Sequence, residues 1–402
     1  MSLKKLLIIG HTFPEPSTTA AGRRMMQLIS LFKAFDWQIA FATNASPSEY
    51  SEHLELHGID CHSILLNDAS VDAWLLKLAP DAVLFDRFLT EEQFGWKVVE
   101  QCPDALRILD TEDLHFLRKA REIAFKNNEP VNFYTETAKR ELASILRCDL
   151  SLIISSVEME LLSRQFHIPE NVLFYLPLFV DEIPQSIHSF EERKHFITVG
   201  NFQHAPNADS VIYLKESLWP EIRKSIPEAQ LHCYGAYVPK NISSLHDEKN
   251  GFLIQGWLED LDAAMKQARV CLAPLRFGAG IKGKIMDATC NGTPVVTTNI
   301  GAEGMSGLAI TASTEDDFIQ NSLEVYLNKN SWGRQQQQAF HVLEHHFLKS
   351  NFQQKFFDTI TWIQKNLKTF RENHFIGQIL QHQSLQATKY LGKWIELKNK
   401  QL

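Results

Sequence analysis

The chain has 402 residues, of which 44% are hydrophobic and 22% charged, a balance that excludes wholesale disorder and suggests two to three domains. Its 40 Lys and Arg against 48 Asp and Glu leave a net charge of -8, which excludes a protein whose main work is coating nucleic acid, because phosphate neutralisation needs concentrated positive charge. The opening apolar run Leu6–Ile9 is too short for a secretory leader, and no run of about 18 apolar residues occurs anywhere. The six cysteines are scattered without a Cys-x-x-Cys pair, so they read as reduced core residues of a cytoplasmic protein.

In chain order, brief apolar runs at Leu6–Ile9, Gln38–Ala42, Ser63–Leu66, Ala82–Phe85, Leu106–Leu109 and Leu150–Ile154 lack clean polar alternation, as strands buried on both faces should. Between them lie helical patterns such as Gly22–Phe35. Residues 112 to 147 hold two helical patterns in succession, an inserted pair. Strand–helix alternation predicts a parallel, doubly wound sheet. A Pro-bearing stretch around Leu176–Pro184, followed by the charged Glu191–Lys194, reads as an exposed connection.

The alternation then resumes with strands at His195–Gly200, Gln230–Tyr234, Phe252–Gln255, Val270–Ala273 and Val295–Thr298. Helices are expected from Ala208, at Glu259–Ala268 and at Lys282–Cys290, and everything after Thr314 reads as helix. The organisation is an N-terminal α/β lobe over 1–185, a C-terminal α/β lobe over 186–350, and helices over 351–402 that pack back on the first lobe. Residues 365–402 carry seven basic and two acidic side chains. This tail either rests on an anionic membrane surface or packs Trp394 and Tyr390 on the N-terminal lobe, and packing is preferred.

Ligands of open α/β sheets sit beyond the carboxyl ends of strands. The richest such loop is Ala273–Lys284, where Gly278 and Gly280 let the backbone turn and Arg276, Lys282 and Lys284 supply three cations ahead of a helix N-terminus. That combination suits a diphosphate. The segment satisfies G-x-x-x-x-G-K, yet Ile285 stands where a Walker A loop needs a Ser or Thr for Mg²⁺. Asp287, inside the following helix, could accept two hydroxyl hydrogen bonds from a ribose. The loop after the first strand, His11–Arg24, lacks G-x-G-x-x-G, so a dinucleotide fingerprint is absent. Asp113 and His115, with His11, offer groups for positioning hydroxyls and moving protons. His341, His345 and His346 read as a solvated helix face, and no metal site is expected.

The stretch Thr198–Asp209, the loop Ala273–Lys284, Asp287-Ala288 and Gly292–Gly304 together resemble the donor-binding half of GT-B glycosyltransferases, most closely glycosyltransferase family 4. That resemblance is dense over 195–305 and implies two Rossmann-like lobes facing each other across a cleft. It also implies retaining transfer from a nucleotide diphosphate sugar to an acceptor hydroxyl on a glycan or lipid-linked glycan. Carried onto this chain, the diphosphate falls to Arg276, Lys282, Lys284 and the N–H groups of Gly280 and Ile281, with Gly22 and Arg23 approaching from the N-terminal lobe. The ribose falls to Asp287, the sugar side to Glu303, Gly200 and Asn201, and catalysis to His115 with Asp113 orienting it. Many family members have an Arg where Asn201 stands and an acidic residue where Ala279 stands.

The expected protein is a cytoplasmic polysaccharide-biosynthesis enzyme that needs no metal or cofactor beyond its co-substrate and binds no nucleic acid. Its basic C-terminal helix allows a weak peripheral contact at the inner face of a membrane. A sugar-nucleotide epimerase and a non-catalytic nucleotide-sugar scaffold are the competing readings.

Overall fold

The computed structural model describes residues 3–184 and 187–399, so the junction drawn between 185 and 186 lies outside the described residues. The N-terminal lobe runs β1 (Lys5–Ile9), α1 (Ala20–Lys33), β2 (Gln38–Thr43), β3 (Asp60–Ser63), α2 (Ser70–Leu78), β4 (Ala82–Asp86) and α3 (Arg87–Gln101). It continues through β5 (Leu106–Asp110), the helical pair α4 (His115–Asn127) and α5 (Glu136–Arg147), β6 (Leu150–Ile153), α6 (Ser156–Glu160) and β7 (Leu173–Tyr175). All pairings are parallel, in the order β3-β2-β1-β4-β5-β6-β7. Strands β4, β5 and β6 are buried at every residue, which explains their unbroken apolar runs.

The C-terminal lobe repeats the plan with β8 (Lys194–Val199), α7 (Ala205–Tyr213), α8 (Trp219–Ser225), β9 (Leu231–Tyr234), α9 (Lys240–Ser243), β10 (Phe252–Gly256) and α10 (Leu261–Gln267). Then come β11 (Ala268–Ala273), α11 (Gly283–Cys290), β12 (Val295–Thr298), α12 (Asn299–Ala302), β13 (Ile310–Ala312), α13 (Glu315–Leu327) and α14 (Lys329–His346). The sheet order is β10-β9-β8-β11-β12-β13, again parallel. Strand order reverses between β1 and β4 in one lobe and between β8 and β11 in the other. Each reversal opens a crevice at the strands' carboxyl ends, and the two crevices face each other.

Three elements depart from the sequence reading. The strand expected at Ser63–Leu66 is β3, three residues earlier, and Leu65 and Leu66 are 60% and 41% exposed. At a sheet edge the polar Asp-Cys-His-Ser can pair while the apolar residues beyond it cannot be buried. Strands β7 and β13 were not anticipated, because three-residue edge strands carry too little pattern to read.

Helices α15 (Gln353–Lys365), α16 (Leu367–Asn373) and α17 (Phe375–Asn399) return to the N-terminal lobe. Phe356, Phe357, Ile360, Ile363 and Phe370 join the core of the first sheet, with Phe356 and Phe357 edge-on to Phe32 at 5.6 and 5.4 Å. Burying each such ring contributes about 2–3 kcal/mol. The tail packs on the N-terminal lobe through these residues rather than through Tyr390 and Trp394. Helix α17 is held by Lys97 to Glu396 at 2.8 Å and by Lys389 and Lys393 on Glu100, while Tyr390 and Trp394 stay 64% and 54% exposed. Among the described residues no helix is long and apolar enough to cross a membrane.

Candidate active site

A cleft of about 690 Å³ lies between the lobes, lined from one side by the loops after β1, β4 and β5 and from the other by the loops after β8, β9 and β11. The loop from β11 to α11 forms its donor-side wall. Gly280 there has φ +64°, and a Cβ on it would fall 2.8 Å from the Cβ of Asp113 across the cleft. The two lobes can approach this closely only because position 280 has no side chain.

The three cations of this loop have three different fates. Arg276 leaves the cleft lining. Its guanidinium makes a bidentate pair with Asp209 at 2.6 and 2.9 Å and lies over Tyr213 and Phe125, so the diphosphate role expected of it is corrected. Lys282 turns back on its own loop, donating to the carbonyls of Ala279 and Gly280 at 3.0 and 2.7 Å. Burial lowers its pKa to about 8. Lys284, in the first turn of α11, is 8% exposed and lines the cleft. Among the described residues its ammonium has neither a hydrogen-bond nor an ion-pair partner, and burial lowers its pKa to about 8 as well. No side chain caps the N-terminus of α11.

The backbone donors assigned to the phosphates are partly committed. The Gly280 N–H donates to Glu158 Oε1 at 2.8 Å, and the Lys282 N–H meets the Met305 sulfur at 3.2 Å. Ile281 lines the cleft beside them. Gly22 also lines it, but its N–H is taken by the Thr19 hydroxyl at 2.9 Å, which caps α1. Its lack of a side chain serves packing instead, since a Cβ would sit 2.3 Å from the backbone of Glu15. Arg23, one residue on, crosses the cleft to form an ion pair with Asp287. The expected phosphate cation and the expected ribose carboxylate are thus each other's partners in this state.

On the opposite wall, Asp113 is gripped by Arg118 at 2.5 and 2.6 Å. Burial would raise its pKa, but Arg118, His115 and His204 outweigh it and hold the carboxyl at about 2. His115 Nε2 is 3.7 Å from Asp113 Oδ1. Burial takes the His115 pKa down to about 3, leaving a neutral imidazole at physiological pH. His204, at the start of α7, joins them from the other lobe and is likewise lowered by burial. His11 is absent from the cleft lining; its N–H donates to Asp86 at 2.9 Å.

Glu303 is a second correction. It is paired bidentately with Arg121 at 2.6 and 2.8 Å, Arg121 also donates to the Gly278 carbonyl, and Glu303 does not line the cleft. It therefore clamps the lobes together rather than facing a sugar. Gly200 and Asn201 do line the cleft, with the Asn201 side chain accepting the Gln203 N–H at 2.9 Å.

Glu158 was missed by the sequence reading. It is 1% exposed, its Oε1 accepts the N–H groups of Leu114 and Gly280, and its pKa is raised to about 7 by burial and by Asp113. One oxygen so fixes the Asp113–His115 loop against the donor loop. The available signal was an acidic residue in the first helical turn after β6. Among the described residues no group of three His, Cys, Asp or Glu side chains is arranged to hold a metal ion.

A buried cation at a helix start, without a hydrogen-bond or ion-pair partner among the described residues and in a cleft that Asp287 also lines, is a geometry for an anionic ligand. Residues 193–328 match the family described as glycosyl transferases group 1. The C-terminal lobe thus carries a group 1 glycosyltransferase domain. Its architecture matches a sucrose-phosphate synthase from Thermosynechococcus elongatus at 13% identity, with a TM-score of 0.68 over 90% of this chain and 99% of that one. It also matches S. aureus TarM in a complex with UDP (10% identity, TM-score 0.69, 89% and 99% covered) and Anabaena HepE in a complex with UDP and glucose (12%, 0.63, 89% and 99%). At these identities the likeness shows the GT-B fold. No curated protein matches the sequence. The family match thus lies in the C-terminal lobe, and the shared fold extends over both lobes.

Proposed function

We propose that this glycosyltransferase binds a nucleoside diphosphate sugar in the cleft and passes the glycosyl group, with retention, to an acceptor hydroxyl on a glycan or lipid-linked glycan. The observation that carries the donor site is Lys284, a buried cation with no protein partner among the described residues, at the open start of α11. A diphosphate there receives both the ammonium and the first N–H groups of the helix. Lys282 lies close enough to release its loop carbonyls and add a second charge as the leaving nucleoside diphosphate becomes more negative.

Asp287 takes the ribose hydroxyls, which requires Arg23 to leave it. The freed guanidinium then moves to the phosphates, so donor entry exchanges one ion pair for another. Asp113 and neutral His115 face the sugar and acceptor from the other wall. Approach of the lobes excludes water and limits hydrolysis of the donor. The chemistry so drawn calls on no metal ion. UDP is the first nucleotide to test, because the TarM and HepE structures contain it.

The deciding experiment is a melting-temperature panel of nucleoside diphosphates and their sugar conjugates on wild type and Lys284→Met. A ligand that binds only the folded state must raise the melting temperature. One nucleotide family should shift the wild type and fail to shift the variant; no shift with any nucleotide would overturn the proposal. Product analysis then separates transfer from the epimerase outcome, an isomerised donor, and from the scaffold outcome, no product. A peripheral membrane contact would use the exposed Tyr390, Leu391, Trp394 and Leu397 of α17 beside Lys398. Pelleting with anionic vesicles at low salt supports that contact, and absence of pelleting rejects it.

A further inference from the structure

The acceptor-side wall contains a carboxyl group to which no other described residue is bonded. Glu112, two residues beyond β5, is 8% exposed and lines the cleft, and among the described residues its side chain has no hydrogen-bond or ion-pair partner. Its φ is +58°, a left-handed backbone that a non-glycine residue rarely holds unless surroundings impose it. Arg87, at the end of the neighbouring strand β4, has φ +70°. Asp86 and Asp110 pair in register on β4 and β5, so the two strained residues emerge side by side from the centre of the sheet.

Two of the three guanidinium groups of this wall are held by hydrogen-bonded carboxylates, and the third only approaches one. Arg24 is bound to Asp110 at 2.7 Å, Arg118 to Asp113 at 2.5 Å, and Arg87 lies 3.6 Å from Asp86 Oδ1, an oxygen with no hydrogen-bond partner. Glu112 is therefore the open polar group, while each guanidinium has a carboxylate beside it. A phosphate or carboxylate placed here would meet Glu112, Asp110, Asp113 and Asp86, with Arg87 the one of these three guanidinium groups that no carboxylate among the described residues holds by a hydrogen bond. A hydroxyl would meet an acceptor of hydrogen bonds.

Resting on the donor reading above, we propose that Glu112 is a specificity-determining residue that holds an acceptor hydroxyl, and that this wall selects a neutral sugar over a phosphorylated or uronic one. Burial, with Asp110 and Asp86 nearby, outweighs the opposing charges of Arg87 and Arg24 and raises the Glu112 pKa to about 8. At neutral pH the group is a carboxylic acid that can donate to one sugar oxygen and accept from another hydroxyl. An acid in that state places no net repulsion on a neutral ligand and gains no attraction from an anionic one.

The test is saturation-transfer NMR on UDP-loaded protein, or on protein loaded with whichever nucleotide shifts its melting temperature. The probes are methyl glycosides of neutral hexoses, their 6-phosphates and the matching hexuronates. Glu112→Gly removes the carboxyl while suiting the left-handed backbone, so the variant should fold. Glu112→Gln retains a donor and an acceptor. Neutral glycosides should bind wild type, weaken about tenfold or more in Glu112→Gly and recover to within about threefold in Glu112→Gln, with the nucleotide melting shift unchanged in both. Equal binding to wild type and Glu112→Gly overturns the inference. So does a preference for the phosphates or uronates, or no glycoside binding by nucleotide-loaded wild type. If no nucleotide binds, the donor reading has failed, and the same comparison on the unloaded protein still decides the role of Glu112.

Discussion

Replacing Lys284 by Met should make this glycosyltransferase more stable while it loses its nucleotide. The side chain is 8% exposed and has no partner among the described residues, and burial lowers its pKa from 10.5 to about 8. At about 1.36 kcal/mol per pH unit, holding that cation charged costs the folded state about 3 kcal/mol at neutral pH. Methionine fills a similar volume without the charge, so Lys284→Met should recover most of that cost. For a lobe of this size about 3 kcal/mol corresponds to a rise of roughly 6 °C or more in melting temperature. The assay is thermal unfolding followed by a probe in the C-terminal lobe, because two lobes need not unfold as one transition. A depressed lysine pKa makes the penalty complete below about pH 8 and removes it by about pH 10.5, so the advantage of the variant should vanish across that interval. Nucleotide at about 100 times its Kd adds about 2.7 kcal/mol to the wild type alone, which should bring the two melting temperatures nearly together. A Lys284→Met protein no more stable than wild type at pH 7, or one that still binds nucleotide, would refute the reasoning.

Two further outcomes follow from the same packing. Gly22→Ala places a methyl 2.3 Å from the Glu15 backbone, so the loop over the cleft must shift; we expect a loss of about 1–3 kcal/mol in urea unfolding together with weaker nucleotide binding, and an unchanged midpoint would show the loop to be slack. Glu141 accepts the His115 and Phe116 N–H groups, and burial raises its pKa from 4.5 to about 8. An acid raised in the folded state binds protons the unfolded chain has released, so its contribution falls as pH climbs from about 4.5 to about 8. Glu141→Gln should accordingly gain on wild type across that range, and a pH-independent difference would reject the assignment.

The local pattern was enough for the two α/β lobes, the helical pair over 112 to 147 and the phosphate-type loop, because these depend on short-range periodicity and on glycines and cations close in sequence. A buried parallel strand advertises itself as an apolar run, and a Gly-rich turn ahead of a helix needs no tertiary partner to be recognised. The partners of each charge were not legible in the same way. Arg276 finds Asp209, Glu303 finds Arg121 and Arg23 finds Asp287, pairs separated by 67, 182 and 264 residues. Glu158 meets Gly280 across the lobe interface for the same reason. Composition and spacing could place three cations in one loop, but an ion pair is decided by which distant strand ends the folded sheets bring together. The sequence by itself determined the kind of fold and the Gly-rich, cationic loop that lines the cleft; the tertiary structure alone decided that Lys284, rather than Arg276, is the cation of that loop left without a partner among the described residues.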